Sequence, residues 1–300
     1  MTVEVPTVNG ADLSASTPRM RAYAMLAFGI LCISFSAIFI SWAHAPGAVT
    51  GFYRMGIATV ILAVPFARRL HARGALPRRE VSVALLAGAF FAGDLVFWNT
   101  GILLSGAANP TLMANTSPIW VALGALLIFH EKLTPMFWGG LCLTLLGALT
   151  IFGADLSGDA GLGTFFGLLA GIFYAGYLLV TQRSRRKLDA LTFFWLAALS
   201  STILLLLAAL LLRQPLTGYS PLTWLNFLAL GILTQVMGQL AISFALGALP
   251  ASLVSPTLLG QPVLTMVWAV LLLGETPTIW HLLGGVVLLI GILVVHRSRL

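Results

Sequence analysis

Charge is what this sequence has least of. Only 8% of its 300 residues are Asp, Glu, Lys or Arg, while 59% are hydrophobic. Ordinary globular domains carry roughly 25% charged residues. A chain this poor in charge cannot cover a water-facing surface, which excludes a soluble domain and implies a polytopic membrane protein. Cysteine is almost missing as well. Cys32 and Cys142 each lie inside an apolar run with no CxxC partner, so no disulfide is expected and both read as small buried hydrophobes. Catalytic motifs are also lacking. His130-Glu131 begins an HExxH pattern, but Thr134 takes its fifth position, and neither GxSxG nor a Walker loop occurs. The five histidines give no metal-ligand spacing. No enzyme activity, cofactor or metal is therefore expected, and any work must draw on a gradient. Strands of alternating polar and apolar residues are absent, which argues against a β-barrel. The net charge of +7 does not point to nucleic acid, because the basic residues form short clusters between apolar runs.

What the chain does have is long apolar runs. Ten of them, each of about 20 residues, match a hydrocarbon core of about 30 Å. They cover 20–42, 47–67, 80–103, 106–128, 135–153, 162–182, 190–212, 221–245, 249–272 and 278–296. Each must be a helix, because an unpaired backbone group in lipid would cost several kcal/mol. Residues 1–18 lack apolar periodicity and read as a cytoplasmic tail. Ala43-His44-Ala45 imitates a signal-peptide cleavage site, but the run before it exceeds the roughly 7–15 residues of a signal core. With the N-terminus inside, fourteen of the sixteen basic residues fall on the cytoplasmic side, only Arg213 outside and only Arg54 within a span. Asp155 and Asp159 mark an external loop with no basic residue. This bias sets both termini in the cytoplasm.

The chain also repeats itself. Ala107, Pro118, Glu131, Thr134, Gly140 and Gly147 recur, 144 positions later, as Ala251, Pro262, Glu275, Thr278, Gly284 and Gly291. Weaker echoes appear at an offset of 142, as in Gly29-Ile30 with Gly171-Ile172 and Phe52 with Phe194. Two units of five spans follow, 19–153 and 162–300. Five is odd, so the second unit crosses the membrane upside down. The fold expected is an all-α membrane protein of ten transmembrane helices in two inverted five-helix repeats, an arrangement typical of alternating-access transporters.

Ser117-Pro118 with Glu131-Lys132-Leu133-Thr134, and Gln261-Pro262 with Gly274-Glu275-Thr276, resemble the drug/metabolite transporter superfamily, above all its bacterial EamA-type exporters. Arg54 in the second span fits too, and the similarity covers nearly all of the chain after residue 20. His130 stands where the second copy has glycine. The resemblance implies a basket of helices with spans 3, 4, 8 and 9 near a central cavity. It also implies export of small metabolites across the bacterial inner membrane, with aromatic amino acid exporters of the YddG type as the nearest branch.

Two charges inside spans need a partner or a water-lined site, since each costs about 2.5–3.5 kcal/mol at a helix centre. Arg54 lies about 12 Å and Asp94 about 9 Å from the outer face at 1.5 Å per residue, so their depths match. Three readings stay open: a structural ion pair, Asp94 as a coupling acid, or the two as anchors for a zwitterion. Gln235 and Gln239 share a helix face, as do Asp94 and Trp98, with Asn99 adjacent. Asn115, Ser117 and Gln261 supply further polar groups near the two prolines. Each serves either as interhelical glue or as a substrate contact. Trp42, Trp98, Trp138, Trp195, Trp224 and Trp280 read as interfacial anchors. Tyr174 is the best aromatic candidate for substrate contact. Gly163, Gly167 and Gly171 form a ladder for close packing, within the chain or in a dimer. Pro118 and Pro262 are expected to kink spans four and nine and to shape or gate the cavity.

The expected function is a secondary transporter exporting small neutral or zwitterionic metabolites, foremost aromatic or hydrophobic amino acids. Alternatives are an exporter of lipophilic cations with Asp94 as counter-charge, or an intramembrane enzyme or assembly factor. Its expected partners are a small-molecule substrate and the lipid bilayer, with no nucleic acid, and the protein itself a monomer or homodimer.

Overall fold

The structure, a computed structural model, describes residues 11–105, 108–153, 161–274 and 276–298. Ala107, Glu275, Asp155, Asp159 and the first ten residues lie outside them. Among the described residues there is no strand. Ten helices are long and apolar enough to cross a bilayer: spans 1 to 10 are Arg19–Ala43, Gly47–Ala72, Arg78–Ile102, Asn109–Phe129, Pro135–Gly153, Leu162–Ser184, Ala190–Leu211, Pro221–Ala245, Ala251–Leu272 and Ile279–Arg297. Span 2 continues past its apolar end through Arg68, Arg69 and His71, whose charged ends can leave the bilayer while the backbone stays helical. The first helix starts at Ala11, inside the stretch expected as tail.

The way the spans pair shows the inverted repeat. Span 2 packs on span 7 and span 5 on span 10. Span 1 packs on span 8 as span 6 packs on span 3, and span 9 lies on span 1 as span 4 lies on span 6. Exchanging the two sets of five leaves this pattern unchanged. The repeated glycines explain the tightest pair. A methyl group on Gly147 would sit 2.4 Å from the amide nitrogen of Leu288, and one on Gly291 would sit 2.4 Å from that of Thr144. Gly140 and Gly284 are in similar contact with the opposite helix. Equivalent glycines thus let spans 5 and 10 approach backbone to backbone. The ladder on span 6 works within the chain: Gly167 meets Pro110 and Gly171 meets Ala114, both in span 4.

Three spans are broken along their length. Span 1 breaks at Phe35, span 4 at Asn115–Thr116, and span 9 at Leu259, which is 144 positions after Asn115. This corrects the expected role of the prolines. Neither removes a bond from a continuous helix. Pro118 enters in the first turn of Ser117–Phe129, and Pro262 is the third residue of Gly260–Trp268, where N–H groups lack intrahelical acceptors anyway. At the break in span 1, span 9 supplies the missing donors: Thr265 Oγ1 donates to the Ser34 carbonyl at 2.8 Å and Gln261 Nε2 to that of Ile33 at 3.3 Å. Span 8 is π-helical from Leu230 to Gln239.

Span 4 ends on His130 at φ 53° and span 9 on Gly274 at φ 69°, equivalent left-handed caps. Histidine there costs roughly 1–2 kcal/mol that glycine does not. Cys32 is buried, but Cys142 is exposed on the outer surface of span 5, which corrects its reading as a buried hydrophobe. Trp195 is another correction. It stacks on Phe66 at 3.9 Å and donates to the Thr59 carbonyl at 2.9 Å, so it packs between spans 2 and 7 instead of anchoring an interface. Trp138, Trp224 and Trp280 are exposed near helix ends, as expected.

The basic clusters all lie on one face, where they also staple helix ends. Lys187 Nζ donates to Glu80 at 2.7 Å, and Arg69 pairs with Asp189, which caps span 7 by accepting from the Thr192 amide. Arg185 donates to the carbonyls of Ser243 (2.9 Å) and Leu188, and burial lowers its affinity for the proton.

Candidate functional site

The candidate site lies between the repeats at the level of Arg54. Its groups come from spans 2, 3, 6 and 8, all held by close helix approaches. Gly93 on span 3 lies under the ring of Phe173 on span 6, and Gly238 on span 8 lies against Cys32 and Ile33 of span 1. These contacts fix the spans around the charged residues.

Arg54 is buried at 7% exposure. With the Gln235 amide oriented so that its oxygen faces the guanidinium, Oε1 accepts from both Nε and an Nη of Arg54. Gln235 is itself wholly buried in the π-helical stretch of span 8. The arginine therefore leans on an amide from the second repeat. Asp94 is close enough to act on Arg54 and Tyr174 electrostatically, as the matched depths required. Yet the two charges form no direct ion pair, and within the described residues Asp94 has no hydrogen-bond partner. A buried ion pair with closed hydrogen bonding would be a structural unit, and these two charges do not form one.

Tyr174 completes this group. Its hydroxyl lies beside the Gln239 amide, and its ring stacks on Tyr177 at 6.0 Å and tilts against Phe91 at 6.4 Å. Gln239 Oε1 is buried and accepts no hydrogen bond. A buried acceptor without a donor costs about 1–3 kcal/mol, which a bound donor can recover. Trp98 and Asn99 border a small cavity of about 10 Å³ beside Arg54, together with Gly47, Thr50 and Leu95. That volume is about one water's worth, so the site is nearly closed on this side. Trp98 also donates to Thr111 Oγ1 at 3.0 Å.

The structure thus brings together Arg54, Asp94, Tyr174, Gln235 and Gln239, with Trp98 and Asn99 at their edge. Asn115 and Ser117 stay at the break of span 4, where Asn115 Nδ2 is buried without an acceptor. Gln261 bonds to span 1 as helix-to-helix glue. Pro118 and Pro262 sit just past the breaks in spans 4 and 9. Sequence reading missed the break at Phe35, whose one signal is the Ser34-Phe35-Ser36 triplet. It also missed Gln182 and Ser252, two polar residues near span ends that carry no motif and that donate to the Glu131 carboxylate.

Comparison with known proteins agrees with this architecture. A model of the EamA-like transporter family matches residues 20–153 and again 161–297. The pseudopaline exporter CntI of Pseudomonas aeruginosa is 24% identical over 259 residues, covering 86% of this chain and 88% of that protein. The uncharacterized transporter YdfC of Bacillus subtilis is 28% identical over 212 residues, covering 70% of this chain and 69% of that one. A crystal structure at 20% identity superposes with a TM-score of 0.79, covering 93% of this chain and 99% of its own. Two family matches, one on each half of ten spans whose packing survives exchange of the halves, place this chain in the EamA-like transporter family.

Proposed function

We propose that this protein exports small zwitterionic metabolites by alternating access, amino acids with large apolar side chains first among them. The basic face is the cytoplasmic one, and the membrane is the bacterial inner membrane. The observation that carries the reading is the unbonded pair of charges inside the spans. Arg54, steadied by Gln235, offers a carboxylate a cation, and Asp94, with no partner of its own, offers an ammonium group an anion. Tyr174 and the unsatisfied Gln239 Oε1 stand beside them for the rest of the molecule. A lipophilic cation would meet Asp94 but also the arginine next to it, which disfavours that alternative. A relative named as an exporter supports the outward direction.

Counterflow tests the reading. Proteoliposomes are loaded with unlabelled amino acids and given labelled phenylalanine, tryptophan, threonine or alanine outside. Accumulation of phenylalanine or tryptophan above threonine and alanine is the expected result. Flat traces for all four, from folded and inserted protein, would remove the amino-acid assignment; pseudopaline and lipophilic cations are then the next labelled substrates.

A further inference from the structure

The repeat's glutamate is not used by the site described above, and its surroundings give it a separate task. Past the left-handed turn at His130, Glu131 places its carboxylate under the start of span 9. It accepts from Ser252 Oγ at 2.5 Å and from Gln182 Nε2 at 3.4 Å. Gln182 in turn accepts from the Ala251 amide at 2.8 Å, one of the donors that the first turn of a helix leaves open. A carboxylate beside a helix N-terminus also opposes the helix dipole favourably. Three helix ends on the basic face, of spans 4, 6 and 9, are tied by these bonds. Span 4 belongs to the first repeat and the other two to the second, so the tie joins the two repeats on this face.

Packing along spans 4 and 9 differs on the two sides of the breaks. On the basic-face side, Ser117–Phe129 packs on Ala251–Leu258, and most of the latter is buried. On the opposite side, Ala108–Ala114 and Gly260–Trp268 make no more than incidental contact, and no residue of Gly260–Trp268 is fully buried. In the described conformer spans 4 and 9 therefore meet on the basic face and stand apart on the other. The sequence makes this asymmetry intrinsic. The repeat counterpart of Ser252 is Ala108, 144 positions earlier, and that of Gln182 is Ile40, 142 earlier. The hydroxyl and amide that receive Glu131 have no equivalents in the other copy.

We infer that Glu131, with Ser252 and Gln182, is the latch of the gate on the basic face, and that its strength sets which way the unloaded protein faces. The inference rests on the alternating-access reading. A bond present in only one of two conformers shifts their ratio by its own strength. Losing one charge-assisted hydrogen bond should therefore raise the open fraction on this face by about tenfold.

The test is a distance measurement between spin labels in lipid nanodiscs, with Cys32 and Cys142 replaced by alanine. One pair sits on the exposed Lys132 and Ala248 of the basic face, the other on the exposed Leu104 and Thr276 of the opposite face. In Ser252→Ala and Glu131→Gln the longer basic-face distance is expected to gain about tenfold in population, with shortening on the opposite face. Should Glu131→Gln fail to fold, Ser252→Ala decides by itself. Distributions that superimpose on the wild type in monodisperse protein would overturn the latch. Counterflow on the same samples separates the two failures. Active counterflow with unshifted distances overturns the latch alone, whereas absent counterflow with one fixed distance on each face overturns the transport reading with it.

Discussion

Asp94 and Arg54 are the costliest residues in the chain by placement, and only one of them is bonded. Arg54 rests on Gln235, so removing its charge leaves that amide without a donor in a dry setting. Asp94 makes no hydrogen bond or salt bridge within the described residues. Asp94→Asn should therefore leave the thermal midpoint nearly unchanged while counterflow falls at least tenfold, since losing an ionic anchor for the substrate costs 1.4 kcal/mol or more. A thermal melt and a counterflow assay on one preparation check this. A collapse of stability with Asp94→Asn would make the carboxylate structural. The sequence made both residues conspicuous and even matched their depths. It could not say that an amide from span 8 would take up the arginine, because that depends on how the repeats meet.

At the scale of the helix, glycine and the helix breaks set the architecture. Spans 5 and 10 touch through Gly140, Gly147, Gly284 and Gly291, where any side chain meets the partner's backbone. Gly147→Ala should destabilise the protein by about 1–3 kcal/mol, the usual cost of overpacking a tight contact. Gly139→Ala on the same helix should be neutral or slightly stabilising, because a methyl there meets nothing within 4 Å. Unfolding midpoints of the two variants in mixed detergent give the comparison. The glycine spacing was readable as a helix contact, but its partner was not: the GxxxG ladder of span 6 could equally have faced a second copy. The breaks were half readable. Pro118 and Pro262 marked spans 4 and 9 correctly and their exact effect wrongly, since a proline starts a helix as readily as it interrupts one. At Phe35 no proline or glycine is present, and the break persists because Thr265 and Gln261 of span 9 satisfy the carbonyls it frees.

For the molecule as a whole, the basic residues act at two levels. Their clustering on one face predicts that this face is cytoplasmic, by the positive-inside bias. A fluorescent protein fused after Leu300 should therefore glow, and an alkaline phosphatase inserted in 154–160 should be active. The reverse pair of results would invert the topology and turn the proposed exporter around. Some of those same charges are also structural. Arg69, Lys187 and Arg185 tie helix ends through Asp189, Glu80 and the Ser243 carbonyl.

The sequence by itself determined the membrane habitat, the ten helices, the doubling and the inversion. Each follows from one-dimensional quantities: charge content, run length, a fixed offset and an odd number of crossings. It also picked out most of the polar residues at the candidate site, because in lipid a polar side chain is conspicuous by cost alone. Only the tertiary structure decided which of them meet. Arg54 goes to Gln235, Gln261 to span 1 and Glu131 to Ser252 and Gln182, and Asp94 goes to none. Those choices depend on the rotation and approach of helices 51 or more residues apart in the chain. They are set by glycine contacts and broken carbonyls that acquire a partner only when the helices pack.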